Sequence, residues 1–467
     1  MGAGVSPHRY DVLVIGGGPA GAAAAYWLAR AGQDVCVVER KSFPRDKTCG
    51  DGLTPRAVHQ LREMGLEPAI AESHHRHEGL RALAHGITLE LPWPEHPVFP
   101  SYGYVVRRRD LDTLVAEHAV AAGAELRTAT EAVRPLLRDG LVTGAVVQDK
   151  SSGSAAQARP AGRRAAQASG LGATVGRAAG EQSANNPTGP PGDPSGANAT
   201  EIHARYVVVA DGSLSRFGRA LGTARNRSYP QGMAIRGYFE SPLSADPWIE
   251  SALDVHDRGG QSLPGYGWVF PLGDGTINVG IGLLSTYKGW REVNTSHLMR
   301  EWAATAPEHW GIDPGAMLAP ATGGRLPMAG SVNPKVGPNW IVIGDAAGSI
   351  NPFNGEGIDY AYETARMAAE LLTQSLAEGS AMPLQRYPAL LEAEYGLYFK
   401  VARAFAQVIG QPALMRELTR VGMRSRSLME WVLRIMANLL RDDELGPAEA
   451  AYRSVARLAR VVPEPAA

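Results

Sequence analysis

Residues 10–40 read YDVLVIGGGPAGAAAAYWLARAGQDVCVVER. Val12, Leu13, Val14 and Ile15 form a continuous apolar run, the pattern of a strand buried on both faces of a parallel sheet. Gly16, Gly18 and Gly21 follow as Gly-x-Gly-x-x-Gly, an alanine-rich helical stretch begins around Ala20, and a second apolar run ends at Glu39 and Arg40. Strand, glycine turn, helix, strand and acid in that order predict a Rossmann-type unit. In such a unit Gly16 permits the tight turn, Gly18 lets the backbone approach a pyrophosphate, and Gly21 allows close helix–strand packing. The helix N-terminus offers free N–H groups and its positive dipole end to the phosphates. Glu39 stands where a carboxylate accepts hydrogen bonds from ribose hydroxyls, which favours an unphosphorylated ribose.

A similar arrangement recurs far along the chain, at residues 339–361, NWIVIGDAAGSINPFNGEGIDYA. Trp340 to Ile343 read as a strand ending at Gly344 and Asp345. Pro352 breaks the chain, and Gly355 and Gly357 open a helix running through Ala361 toward Leu372. An NAD site has no need of this second device. FAD does, because its ribityl chain and isoalloxazine ring extend away from the first turn. Asp345 is suited to ribityl hydroxyls, and the helix beginning at Gly357 and Ile358 to negative charge at flavin N1 and O2. Both turns are therefore expected to hold opposite ends of one FAD.

The composition is that of a soluble globular protein of two or three domains, with 467 residues, 44% hydrophobic and 20% charged. Lys plus Arg (46) balances Asp plus Glu (47), so no net field favours nucleic acid. Of the two cysteines, Cys36 lies in an apolar strand, which argues against a structural disulfide and for a reducing cytoplasm. The first residues lack the regions of an export signal, and no apolar run approaches the ~20 residues that span a bilayer. Residues 150–200 carry no aromatic and almost no large aliphatic residue, and they read as a disordered insertion between two strand-like runs, GLVTGAVVQD and EIHARYVVVADG. The expected division is a discontinuous FAD-binding domain (1–78, 101–225 and 331–378), a substrate domain built on an antiparallel sheet (79–100 and 226–330), and a helical C-terminal region (379–467). In that last region Leu428, Val432, Ile435 or Met436, and Leu439 fall at helical spacing, with Arg416, Arg420, Arg424, Arg426 and Arg434 in or before them. That helix either lies on a membrane surface or packs on its own protein. His74, His75 and His77 lack the spaced partners of a metal site and are expected in a solvated loop.

Three further stretches resemble the geranylgeranyl reductase family, within the flavoprotein group that includes p-hydroxybenzoate hydroxylase. They are FPRDKTCGDGLTPRAV (43–58), YVVRRRDLDTL (104–114) and LPGYGWVFPLGDGTINVGIG (263–282). The resemblance covers nearly the whole chain outside 150–200 and is closest to actinobacterial members similar to menaquinone reductases. It implies an α/β fold with a glutathione reductase-like FAD domain and an α+β substrate domain. Carried over by position, it implies FAD contacts at Gly21, Glu39, Cys49, Gly50, Gly52, Arg108, Ala132, Asp345, Gly357 and Ile358. With Gly16, Gly18, Ala20 and Arg40 from the first turn, these make up the expected cofactor set.

The implied reaction is reduction of isoprenoid C=C bonds in a polyprenyl substrate, foremost the menaquinone side chain. Such a bond has no carbonyl to polarise it, so the reacting carbons must be held close and protonated with assistance. Tyr266, Trp268 and Phe270 alternate along one strand and share a face. They either wall an apolar tunnel or form ordinary core. Cys49 either aids proton delivery, the one candidate catalytic residue, or is a small side chain packed by the ring. Asp211 and Gly212 either contact the dinucleotide or turn the chain. The electron donor is NAD(P)H or another reduced carrier. Peripheral attachment to the inner face of the cell membrane is expected, with neither metal nor nucleic acid. Two other functions compete: a flavin monooxygenase or halogenase on the same scaffold, and a prenyl-binding carrier of the GDP-dissociation-inhibitor type, which has no use for Gly16, Gly18, Gly21, Glu39 and Asp345.

Overall fold

The computed structural model describes residues 8–151, 199–256, 260, 262–291, 293–441, 443 and 445–461. Most of the expected insertion lies outside them. The two runs that flank it pair antiparallel, Gly144 opposite His203 and Gln148 opposite Ala199.

Two seven-stranded sheets organise the chain. The first runs, in spatial order, Glu125–Arg127, Val35–Val38, Arg9–Ile15, Ala199–Val209, Leu141–Asp149 and Thr130–Arg138. Trp340–Val342 lies beside the C-terminal half of Ala199–Val209. Every pairing of Arg9–Ile15 is parallel, which explains its unbroken apolar run. Val12 and Val14 pack under the helices Pro19–Arg30 and Ile358–Glu378, while Leu13 and Ile15 join Phe217 and Trp340 on the other face. Ala22, Ala23, Ala24 and Ala25 are all buried in the first of these helices, so their small size lets it approach the sheet closely.

The second sheet has the order Thr322–Pro327, Gln231–Glu240, Thr276–Leu284, Gly265–Pro271, Trp248–Ala252, Gly79–Ala84 and Ile87–Pro92. It is antiparallel apart from one parallel pair, Trp248–Ala252 with Gly79–Ala84. Helix Thr295–Thr305 covers one face through Met299 and Trp302.

The helix Arg426–Met436 turns a different face inward from the one its spacing suggests. Met429 and Leu433 are buried with Leu91 and Trp93; of the expected stripe Leu439, past the helix end, is buried, whereas Leu428, Val432, Ile435 and Met436 are half-buried. A helix with several apolar positions offers more than one stripe, and the strand Ile87–Pro92 selects the stripe that fits it. The histidine tract is likewise not a solvated loop. His75–His77 is a short strand, and His77 is fully buried, accepting Trp93 Nε1–H on Nδ1 at 3.2 Å. Burial pushes its pKa down to about 3, so the ring is neutral.

Candidate functional site

The first turn is closed by its own glycines. Gly16 has φ +101° and its N–H donates to the Val38 carbonyl at 2.8 Å. A Cβ on Gly21 would stand 1.8 Å from the Gly16 oxygen, so only glycine lets the helix begin this close to the strand. Gly18 caps Pro19–Arg30 without any side chain over the helix N–H groups, and the Arg45 guanidinium stands 3.5 Å from its Cβ position. Glu39 is buried and accepts from the N–H groups of Gly17 and Lys41, each at 3.0 Å. Thr130 N–H donates to the Glu39 carbonyl at 2.8 Å, which brings the strand carrying Ala132 beside the same turn. Arg40 is exposed.

The second turn meets the first. Gly344 has φ +58°, and a Cβ there would lie 2.7 Å from Ala20 Cβ. Behind this contact the helices Pro19–Arg30 and Ile358–Glu378 pack together. Asp345 accepts from Lys47 Nζ at 3.1 Å, and its Oδ1 stands 3.5 Å from the Cβ position of Gly357. Gly357 caps a helix of 21 residues with no side-chain partner, so the positive end of its dipole is presented beside Asp345, with Ile358 as the first helical residue.

A third segment, Cys49–Thr54, lies between these turns and the second sheet. The Phe270 ring is 3.0 Å from the Cβ position of Gly50 and 3.1 Å from that of Gly52, and larger residues at either would displace it. Asp51, at φ +67°, is held from three sides. Its carboxylate accepts from Tyr238 Oη at 2.6 Å, Asn278 Nδ2 at 2.8 Å and the Arg108 N–H at 3.2 Å. Asn278 also donates to the Cys49 carbonyl at 2.9 Å. Burial pushes the Asp51 carboxyl up to about 6 against these hydrogen bonds. The same desolvation pushes the half-buried Cys49 thiol upward, so it keeps its proton at neutral pH.

Tyr266, Trp268 and Phe270 do share one face, with adjacent ring centroids 5.9 and 6.2 Å apart. Gly282, Gly280 and Asn278 lie opposite them on the neighbouring strand, and a Cβ on Gly280 would stand 2.1 Å from Trp268. Tyr266 Oη donates to the Asn354 carbonyl at 2.5 Å, tying the aromatic strand to the second turn. Arg108 gives its guanidinium to Asp112 at 2.8 and 3.0 Å, and Asp112 also receives Arg45 at 3.0 Å. Asp211 accepts the Phe217 N–H at 3.1 Å, while Gly212 turns the chain at φ +82°.

These residues fit FAD. Two helix N-termini stand open, Glu39 and Asp345 offer carboxylates, and Arg45 Nε and Asp211 Oδ1 are buried near the first turn without hydrogen-bond partners. Arg45, Lys47, Asp51, Thr54, Tyr238, Asn278 and Glu356 were not singled out from the sequence. Most lie inside the quoted motifs, but their partners stand far away in the chain. Thr54, for example, donates to Glu356.

Comparison with known proteins agrees with this geometry. Residues 9–184 match the FAD binding domain family. The chain is 38% identical over 453 residues to a menaquinone reductase of Mycobacterium tuberculosis, covering 97% of each. It is 39% identical to a menaquinone reductase of Mycolicibacterium smegmatis, covering 93% of each. A digeranylgeranylglycerophospholipid reductase of Methanopyrus kandleri is 29% identical, over 86% of this chain and 91% of that one. Among solved structures, a geranylgeranyl bacteriochlorophyll reductase-like protein of Thermoplasma acidophilum superposes with a TM-score of 0.71 at 19% identity, over 96% of this chain and 99% of that one. A flavin-dependent brominase superposes at 0.65 and 18% identity, over 97% and 99%, so the fold alone is shared with halogenases.

Proposed function

Since the chain belongs to the geranylgeranyl and menaquinone reductase family of FAD-dependent oxidoreductases, we propose that it saturates isoprenoid C=C bonds of a polyprenyl substrate, foremost the menaquinone side chain. The observation that carries this reading is the placement of Phe270 and Trp268 against Gly50 and Gly52, which sets an apolar aromatic wall directly on a cofactor-facing loop.

Reduced FAD supplies the hydride when bound. The protein's own residues do the rest. Gly16, Gly18, Ala20, Gly21, Glu39, Arg40 and Arg45 hold the nucleotide end, with Ala132 beside them. Asp345, Gly357 and Ile358 hold the ring end, where the helix dipole stabilises negative charge. Arg108 positions the Cys49–Gly52 loop through its backbone bond to Asp51. Tyr266, Trp268 and Phe270 exclude water and press the alkene into a fixed orientation, which such an unpolarised bond requires. NAD(P)H or another reduced carrier restores the electrons.

A polyprenyl chain resides in a bilayer, and no helix among the described residues is long and apolar enough to cross one. Peripheral docking fits the helix Pro412–Gly422, which exposes Leu414, Leu418 and Val421 on one stripe beside Arg416, Arg420 and Arg424. Attachment at the inner face of the cell membrane follows from this reading. Mass spectrometry of quinones from cells with and without the gene tests the substrate. Menaquinone heavier by one H2 per reduced unit is expected, and an added oxygen or unchanged quinone overturns the assignment.

A further inference from the structure

Hydride addition to an isolated alkene needs a proton at the second carbon, and a group of three carboxyls, Asp359 and Glu363 buried and Glu356 half-buried, stands where the cofactor-facing segments meet the aromatic wall. Asp359 and Glu363 lie on one face of the helix Ile358–Glu378, and Glu356 stands just before its cap, Gly357. Both Glu363 oxygens accept from Arg56 Nη2 at 2.8 Å, and one also accepts from Tyr395 Oη at 2.6 Å. Asp359 is wholly buried, and neither of its oxygens makes a well-formed hydrogen bond. Glu356 accepts from Thr54 Oγ1, at the end of the Cys49–Thr54 segment, and from Asn354 Nδ2 at 3.0 Å. Asn354 in turn accepts from Tyr266 through its carbonyl. Glu356 is therefore the member of the group that joins the two ring-facing segments beside Tyr266.

Resting on the proposed reduction, we infer that Glu356 is the proton donor to the alkene, with Asp359 behind it as a second carboxyl held neutral. Three carboxyls share one guanidinium in a buried site, and they cannot all be ionised there without a large desolvation cost. Burial pushes Glu356 up to about 7, opposed by Thr54, Asn354 and Arg56 and reinforced by Glu363. Burial, with Glu356 and Glu363 beside it, also drives the Asp359 carboxyl well above the usual carboxylate range. Tyr360, Tyr395 and Tyr398 also face the group, and burial keeps all three protonated. In the balanced step, hydride from reduced flavin forms one C–H bond, and the alkene π pair takes the Glu356 proton to form the other. The product is the saturated unit, and the carboxylate left on Glu356 regains its proton from solvent.

The test uses FAD-loaded protein reduced anaerobically and mixed with menaquinone in detergent micelles, with the saturated product read by mass spectrometry. Glu356→Gln is expected to lower the single-turnover rate about 10²–10⁴-fold at unchanged flavin content. In the infrared spectrum of the protein without substrate, the protonated-carboxyl signal that titrates near 7 should be lost in the same variant, leaving that of Asp51 near 6. Thr54→Val removes a bond to the ionised form, so it should raise the pH at which turnover declines while leaving the protein folded. A Glu356→Gln protein as fast as the native one, or a native infrared spectrum without the signal that titrates near 7, overturns the assignment while leaving the reduction intact. A native enzyme that saturates no polyprenyl chain overturns both.

Discussion

The two glycine turns do comparable work by different means. The first is a local device. Its critical approaches, Gly21 to Gly16 and Gly16 to the strand ends at Val38 and Ala210, are between backbone atoms, and nothing in them can be adjusted. The second is assembled from remote pieces: Lys47 on Asp345, Thr54 on Glu356, Arg56 on Glu363, Tyr266 on Asn354. A turn made by sterics leaves a motif in the chain, whereas a turn made by charge and hydrogen bonding leaves its partners scattered.

The comparison can be broken at its strongest point first. Gly21→Ala places a methyl into the Gly16 carbonyl and should cost about 4 kcal/mol or more, with loss of FAD, read by thermal unfolding and by the flavin absorbance of the purified protein. Arg56→Met strips the guanidinium paired with Glu363 and should cost about 3 kcal/mol at neutral pH. Denaturant titration at neutral pH reads that loss. Gly357→Ala sharpens the contrast with Gly21. Its Cβ meets the Ile350 side chain at 3.1 Å, which can yield, and Asp345 Oδ1 at an ordinary contact distance of 3.5 Å, so a loss of about 1 kcal/mol with FAD retained is expected.

Asp51 gives a smaller, signed effect. Its folded pKa of about 6 lies above the usual 3.8, so the folded state holds a proton that the unfolded chain has released. The stabilisation is complete below 3.8 and is lost as the pH rises through about 6. Asp51→Asn keeps the acceptor oxygen and should flatten that decline in urea titrations. The smallest change in stability belongs to Leu414→Ser, Leu418→Ser and Val421→Ser combined, within about 0.5 kcal/mol of native. Flotation with anionic vesicles should nevertheless fall in this variant, and unchanged flotation sinks the proposed docking face.

Much of this was legible in advance. The parallel strand at 12–15, the glycine turn, the pairing across the insertion and the aromatic strand all follow from short-range pattern, because burial on two faces or alternation on one dictates residue type directly. His75–His77 and the inward face of Arg426–Met436 were not legible. Polar or ambiguous residues take their environment from neighbours such as Trp93 and Leu91, which no local spacing announces. Arg45, Asp51 and Glu356 were hidden for the same reason: each is an ordinary charged residue until the fold surrounds it.

The chain's own order of residues determined that it binds FAD in a Rossmann-type unit and that its aromatic strand presents one face, since backbone sterics and strand periodicity operate between near neighbours. Only the tertiary structure decided that Gly344 rests on Ala20, that Phe270 covers Gly50 and Gly52, and that Glu356 meets Thr54. Hydrogen bonding and desolvation depend on distance in space, and folding alone brings those segments within reach of one another.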